Sequence, residues 1–274
     1  MSTCTIGLFD SGIGGLSVAR HVKRLLPTNP LIYLSDSQFA PYGDKMPMQV
    51  RRRCEAIVEY LLAQGANVIV VACNTATVHH IQALREKYQV PFVGVEPGIK
   101  PAVQSSRSKR IGVMVTRQTA KSPNLAAHIA QFSTQADIKV VACPGLAEAV
   151  ERLDLSPGLL LRTFISELDG QGIDQLVLGC THYHFLTESI RTLVGSQVNL
   201  VDTGEAVAKQ VSRVLADLEP VAQVSNWQAS DEGGEDRFVT TGDLARFNRQ
   251  LTSLWPFGKV DGQQVAINPL KKIG

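Results

Sequence analysis

The 274-residue sequence has no apolar run approaching the roughly 18 residues that a bilayer-spanning helix needs. Its first ten residues, Met1-Ser-Thr-Cys-Thr-Ile-Gly-Leu-Phe-Asp10, lack a basic stretch followed by an apolar one. They do not read as a secretory signal, and a cytoplasmic location with no membrane partner is the expectation. An excess of charge is missing too: 27 Lys and Arg stand against 25 Asp and Glu, so nucleic acid is not an expected partner. Cysteine is sparse and odd in number, at positions 4, 54, 73, 143 and 180. A chain of this length does not need staples, so free thiols in a reducing compartment are expected rather than a disulfide framework. There is no G-x-G-x-x-G, no low-complexity tract and no lysine in a recognisable PLP context. Cys180, His182 and His184 read as Cys-x-His-x-His, but no second cluster of typical spacing completes a zinc site. Neither a metal nor a cofactor is expected.

What is present is a regular alternation. Short Ile- and Val-rich runs at 5–9, 31–34, 68–72, 92–95, 110–115, 138–142, 175–178 and 199–201 read as strands. Their near-continuous hydrophobicity suits parallel strands covered on both faces. Stretches of helical period at 16–25, 49–63, 76–87, 125–132, 158–168, 185–193 and 205–218 lie between and after them. The fold class expected is α/β with mainly parallel sheets. A last strand at 238–241 and helix at 244–254 return to the first half, and 226–236 reads as a polar surface loop.

The pattern also repeats. Gly65-Ala-Asn-Val-Ile-Val-Val-Ala-Cys73-Asn-Thr is echoed by Gly172-Ile-Asp-Gln-Leu-Val-Leu-Gly-Cys180-Thr-His, and Ile6-Gly7-Leu8 by Ile111-Gly112-Val113. The two offsets nearly agree, which predicts two pseudo-symmetric doubly wound domains, each delivering one cysteine at a strand end. One is expected from residues 1–97 together with about 207–274, the other from 98–206, with the site in the cleft between.

Open α/β sheets bind ligands beyond the carboxyl ends of their strands. Asp10-Ser11-Gly12, Cys73-Asn74-Thr75, Thr116 to Thr119 and Cys180-Thr181-His182 fall there. Each cysteine precedes a helix start, whose unpaired N–H groups favour thiolate. A thiolate is a base and its thiol an acid, so the pair suits proton transfer, whereas either alone reads rather as a small buried hydrophobe. Asp10 is read as a partner for Cys73 or as a cap for the following helix. Gly12, Gly14 and Gly15 let backbone approach a ligand closely. Asn74, Thr75, Thr116, Thr119 and Thr181 are candidate donors to a carboxylate, and no arginine is placed for that task. Pro41-Tyr42-Gly43 is a turn that could add donors, and His182 a proton partner for Cys180.

Taken together, Ile6-Gly-Leu-Phe-Asp-Ser-Gly-Ile-Gly-Gly-Leu-Ser17, Pro41-Tyr-Gly43, Val71-Ala-Cys-Asn-Thr-Ala76, Gly112-Val-Met-Val-Thr-Arg-Gln-Thr119 and Gly179-Cys-Thr-His-Tyr183 resemble the glutamate racemases of the aspartate/glutamate racemase superfamily. The resemblance runs from residue 6 to about 255. It implies PLP-independent interconversion of L- and D-glutamate for peptidoglycan synthesis, and a homodimer. It implies that Asp10 and Ser11 line the site, that Cys73 acts on the D- and Cys180 on the L-enantiomer, and that Pro41, Tyr42, Gly43, Asn74, Thr75, Thr116, Thr119 and Thr181 hold the substrate. Asp10, Glu151 and His182 would assist proton transfer. Two departures stand out. His184 takes the place of the usual proline after Cys-Thr-His-Tyr, which bears on specificity. Asp10 lies nine residues from Met1, so the N-terminal extension through which a cell-wall precursor activates some members is expected to be absent. Aspartate racemase or a related superfamily member is the alternative enzyme; a non-catalytic nucleotide- or metal-binding regulator is the alternative of another class.

Overall fold

A computed structural model of the chain describes residues 4–222 and 235–267. The strands are β1 (Ile6–Asp10), β2 (Leu31–Ser35), β3 (Val68–Val71), β4 (Phe92–Gly94), β5 (Arg110–Val115), β6 (Asp137–Ala142), β7 (Gln175–Gly179), β8 (Asn199–Val201), β9 (Arg237–Thr240) and β10 (Gly262–Gln264). The helices are α1 (Leu16–Leu25), α2 (Pro47–Ala63), α3 (Asn74–Lys87), α4 (Ile99–Ser105), α5 (Arg117–Ala120), α6 (Pro123–Ala130), α7 (Leu146–Glu151), α8 (Gly158–Ser166), α9 (Thr187–Val194), α10 (Gly204–Ala222) and α11 (Leu244–Leu254).

Two sheets result, with orders β10-β9-β2-β1-β3-β4 and β6-β5-β7-β8. Every ladder is parallel. The run β2-β1-β3-β4 of the first sheet has the same order as the whole second sheet, so the sequence echo is an echo of topology. The two cysteine-bearing strands, β3 and β7, each pair with the opening strand of their half, β1 and β5. Strands β1, β2, β3 and β7 are buried along their whole length, as parallel strands sandwiched by helices must be. The late strand and helix do return: β9 pairs with β2, and β10 extends the sheet beyond it.

Helix α1 buries Leu16, Val18, Ala19 and Val22 and carries Lys23 and Arg24 in its last turn, where cations suit the helix dipole. One apolar cluster runs from Ile6 and Leu8 through Val18 and Val22 to Val207 and Val211, and on to Met114, Leu176 and Leu178. The two sheets thus share a core on one side and leave their strand carboxyl ends around a cavity on the other. Helices α4, α5 and α7 were not legible because four to seven residues are too few to show a helical period, and β10, Gly-Gln-Gln, lacks the Ile- and Val-rich run that marks the other strands. After Cys180 the chain forms a 3-10 turn, Thr181–Leu186, before α9, rather than entering a helix directly. The polar loop expected at 226–236 lies outside the described residues as far as 234.

Candidate active site

A cavity of about 290 Å³ opens where the strand ends of the two sheets meet. Its wall includes Ser11, Cys73, Asn74 and Thr75 from the first half and Thr116, Cys180, Thr181 and His182 from the second. Pro41, Tyr42, Gly43 and Glu151 also face it. Both sulfurs therefore look into one space. Asp10 and Thr119 stand behind the wall rather than in it, each fully buried.

The surroundings of the two thiols differ. Cys73 follows β3 and caps α3; its Sγ lies 3.8 Å from Ser11 Oγ. The expectation that a helix start lowers its proton affinity does not hold. Burial and the Asp10 carboxyl push the Cys73 thiol well up, against the smaller opposing effect of the Ala76 N–H. Desolvation acts on the whole charge, whereas one N–H offers a partial charge only. Cys180 Sγ lies 3.7 Å from His182 Nδ1, and His182 Nε2 lies 2.7 Å from Glu151 Oε1. Burial alone would lower the His182 proton affinity, but Cys180 and Glu151 on its two nitrogens outweigh it and hold it well above the usual imidazole value. Burial presses Glu151 upward, and His182 with the Ile13 N–H more than reverses that, so its carboxyl sits below the usual range. His182 thus bridges the Cys180 sulfur and the Glu151 carboxylate through its two ring nitrogens.

Of the two roles read for Asp10, its contacts serve the helix start, and it reaches Cys73 only through Ser11. Its Oδ2 accepts from the Gly15 N–H at 2.7 Å, at the start of α1, and from Thr181 Oγ1 at 3.2 Å across the cleft. Burial raises its carboxyl despite the pull of His182. The glycines beside it serve a different purpose from the one expected. A Cβ on Gly12 would stand 1.8 Å from Glu151 Oε1, and one on Gly14 2.3 Å from His182 Nδ1. Gly12 and Gly14 make room for side chains of the opposite half, whereas Gly15 makes room for Asp10 and Tyr33 of its own.

The oxygens of Thr75, Thr116 and Thr119 form a triangle with sides of 3.1, 3.3 and 2.9 Å. Thr116 also caps α5 by accepting the Thr119 N–H. The Tyr42 hydroxyl is committed to Asp36, so that residue contributes its ring and backbone to the wall. His184 turns away from the cavity toward Asp202, at 3.5 Å, and Asp202 in turn faces His21 at 3.4 Å. The histidines of Cys-x-His-x-His therefore diverge, and no group of three or more His, Cys, Asp or Glu among the described residues converges as a metal site. Cys54 and Cys143 lie in the apolar cores away from the cavity, where burial pushes their thiols up.

Arginines are placed at the site after all. Arg152, at the end of α7, and Arg246, on α11, both line the cavity, as do Ser37, Ala40, Ala147 and Glu148. Arg246 was not legible because α11 reaches the cavity only through the tertiary fold. Arg152 could have been suspected from Glu151 beside it.

Two matching sheets with one thiol each on a common cavity define a class of isomerase, and the chain belongs to the Asp/Glu/Hydantoin racemase family, whose model spans residues 14–211. Within that family it is similar to the glutamate racemase of Cupriavidus pinatubonensis, 42% identical over 267 residues, covering 96% of each chain. It superposes on the Escherichia coli glutamate racemase solved with L-glutamate and the activator UDP-MurNAc-ala (TM-score 0.84, 29% identity, 97% and 99% of the two chains covered). It also superposes on a glutamate racemase isoform of Bacillus anthracis (TM-score 0.81, 28% identity, 98% of each chain covered).

Proposed function

We propose that this chain interconverts L- and D-glutamate, without pyridoxal phosphate, by proton transfer between Cys73 and Cys180. The observation that carries this reading is that the two cysteines end equivalent strands of two equivalent sheets and line one cavity. Racemisation requires a proton to leave one face of a carbon and another to arrive at the opposite face, which two groups on opposite walls achieve without either moving.

From the L-enantiomer, the Cys180 thiolate takes the α-proton and becomes the thiol, with His182 beside it. The carbanion-like state then takes a proton from the Cys73 thiol, which becomes the thiolate, and D-glutamate leaves. The reverse reaction exchanges these roles. The raised Cys73 thiol suits the donor role in the first direction. Charge developing toward the α-carboxylate is met by Ser11, Asn74, Thr75, Thr116 and Thr181, preorganised in a buried site. Arg152 and Arg246 supply positive charge for a dicarboxylate. The glutamate substrate is supported by the relatives, which are glutamate racemases over nearly their full length.

The domains of this reading are residues 1–97 with about 207–274, and 98–206; closure between them would exclude water. We place the enzyme in the cytoplasm, as a homodimer supplying D-glutamate for peptidoglycan. Among the described residues no helix is long and apolar enough to cross a membrane.

The test is incubation with each enantiomer in D2O, with no cofactor added. Deuterium should appear at the α-carbon of the product, and aspartate should not turn over comparably. Cys73→Ala and Cys180→Ala should each lose racemisation, yet each should still eliminate a leaving group from one enantiomer of a β-substituted or N-hydroxylated glutamate. Full racemisation by both variants would falsify the two-thiol mechanism.

A further inference from the structure

Gln250 is buried, 1% exposed, on α11, which belongs to the first sheet's side of the molecule. Its Nε2 donates to the Glu151 carbonyl oxygen at 2.7 Å and to Glu151 Oε2 at 3.2 Å. Both targets are acceptors, so the amide nitrogen must face them. Glu151 Oε1, the other carboxylate oxygen, accepts from the Ile13 N–H and faces His182 Nε2, each at 2.7 Å. His182 Nδ1 faces Cys180 Sγ at 3.7 Å. An unbroken line of polar contacts therefore runs from the C-terminal helix, across the cleft, to the sulfur of the second half. Arg246, one turn earlier on α11, donates to the same Glu151 carbonyl at 3.0 and 3.3 Å, so two side chains spaced i, i+4 grip one residue.

The chemistry of the grip is specific. A carboxylate on Nε2 keeps that nitrogen protonated, so Nδ1 is the nitrogen that exchanges a proton with the Cys180 thiol. Oε2 accepts from the Gln250 amide at 3.2 Å and lies 3.6 Å from the Arg246 guanidinium, so the amide is its hydrogen-bond donor and Arg246 a more distant counter-charge, while Oε1 faces His182. An apolar residue at 250 would leave Oε2 without its hydrogen bond and with only the Arg246 guanidinium at 3.6 Å, so the carboxylate is free to turn toward that cation and away from His182. At Cys73 the corresponding line runs through Ser11 Oγ, 3.8 Å from Sγ, to Asp10 Oδ1 at 3.4 Å, so a hydroxyl stands where Cys180 has an imidazole and α11 has no part in it.

We propose that Gln250 is a positioning residue for proton transfer at Cys180, acting through Glu151 and His182, and that α11 thereby joins the C-terminal segment to one half-reaction. The proposal rests on the two-thiol reading above. Enantiomers have equal free energy, so kcat/KM must stay equal in the two directions whatever the variant. The effect of a disturbed Cys180 step is therefore read in isotope effects.

The experiment uses full-length wild type, Gln250→Met and Gln250→Asn with L- and D-glutamate, α-deuterated and unlabelled, in H2O and D2O. In Gln250→Met, kcat/KM should fall about tenfold, part of the 10²–10⁴ that a whole acid–base group contributes. The isotope effect from α-deuterated L-glutamate should rise, because removal of its proton by Cys180 becomes rate-limiting. That from α-deuterated D-glutamate should fall toward unity, while the solvent isotope effect on D-to-L conversion rises. Gln250→Asn, whose amide is one methylene short, should move all three in the same directions by less, and it carries the test if Gln250→Met does not fold. Isotope effects equal to wild type in both substrates overturn the proposal, whatever happens to kcat. If instead wild type exchanges no α-proton, or Cys180→Ala racemises fully, the two-thiol reading itself falls and takes this inference with it.

Discussion

Gly14 has no space for a methyl group, since its Cβ would meet His182 Nδ1 at 2.3 Å and Thr181 Oγ1 at 2.6 Å. Its backbone does not adopt a positive φ, so the constraint is close approach alone. Gly14→Ala should therefore displace the imidazole from Cys180 and cut kcat by about 10²-fold, the cost of roughly an ångström of misplacement. Steady-state kinetics beside a circular-dichroism melt check this: the loss of kcat should far exceed what any change in melting explains. The two cysteines were legible because strand-end placement is local. The difference between them was not. Cys73 is set by the burial and carboxylate that β1 brings beside it, and Cys180 by a histidine anchored from α7.

Helix α2 and the loop before it hang on one buried ion pair. Asp36 accepts from Arg53 Nε at 2.7 Å, from the Tyr42 hydroxyl at 2.8 Å and from Thr241 Oγ1 at 2.7 Å, while Arg53 also donates to the Ile267 carbonyl. These bonds tie α2, the end of β9 and the turn Pro41-Tyr42-Gly43 that walls the cavity. Arg53→Met leaves the Asp36 charge buried and without its cation, a loss of about 3–5 kcal/mol for a broken buried pair. A lower urea midpoint should report it, together with a raised KM for glutamate as the turn loosens. Element by element, the long helices and buried strands were readable from their periods. The 3-10 turn at Thr181–Leu186 was not, because its bond from the Tyr183 N–H to the Cys180 carbonyl leaves no periodic mark in so short a segment.

Across the whole molecule, titration opposes stability at both ends of the pH range. Glu151 and Asp174 are held below their ordinary values in the fold, Asp174 at about 2 through Ser106 Oγ and the N–H groups of residues 107 and 108. A lowered acid stabilises above its unfolded value and loses that contribution as pH falls, so the urea midpoint should drop below about pH 4. His182 is raised, so its contribution is complete below about pH 6.5 and is lost as pH climbs through its folded value. Asp10 is raised as well, so its ionisation costs stability and its protonation relieves the acid side. Asp10→Asn should therefore steepen the acid loss, while an unchanged acid limb would place the burden elsewhere. Urea melts from pH 3 to 9 measure both limbs.

The residue pattern alone determined the alternation of strand and helix, the doubled architecture and the pair of strand-end thiols, because periodicity and strand termini are properties of contiguous chain. Tertiary structure alone decided that Arg152 and Arg246 reach the cavity, that Asp10 and Thr119 stand behind it, that the Gly12 and Gly14 turn receives side chains from the other half, and that Gln250 grips Glu151. These facts depend on which distant segments share a buried space, and burial and charge act through distance in space rather than along the chain.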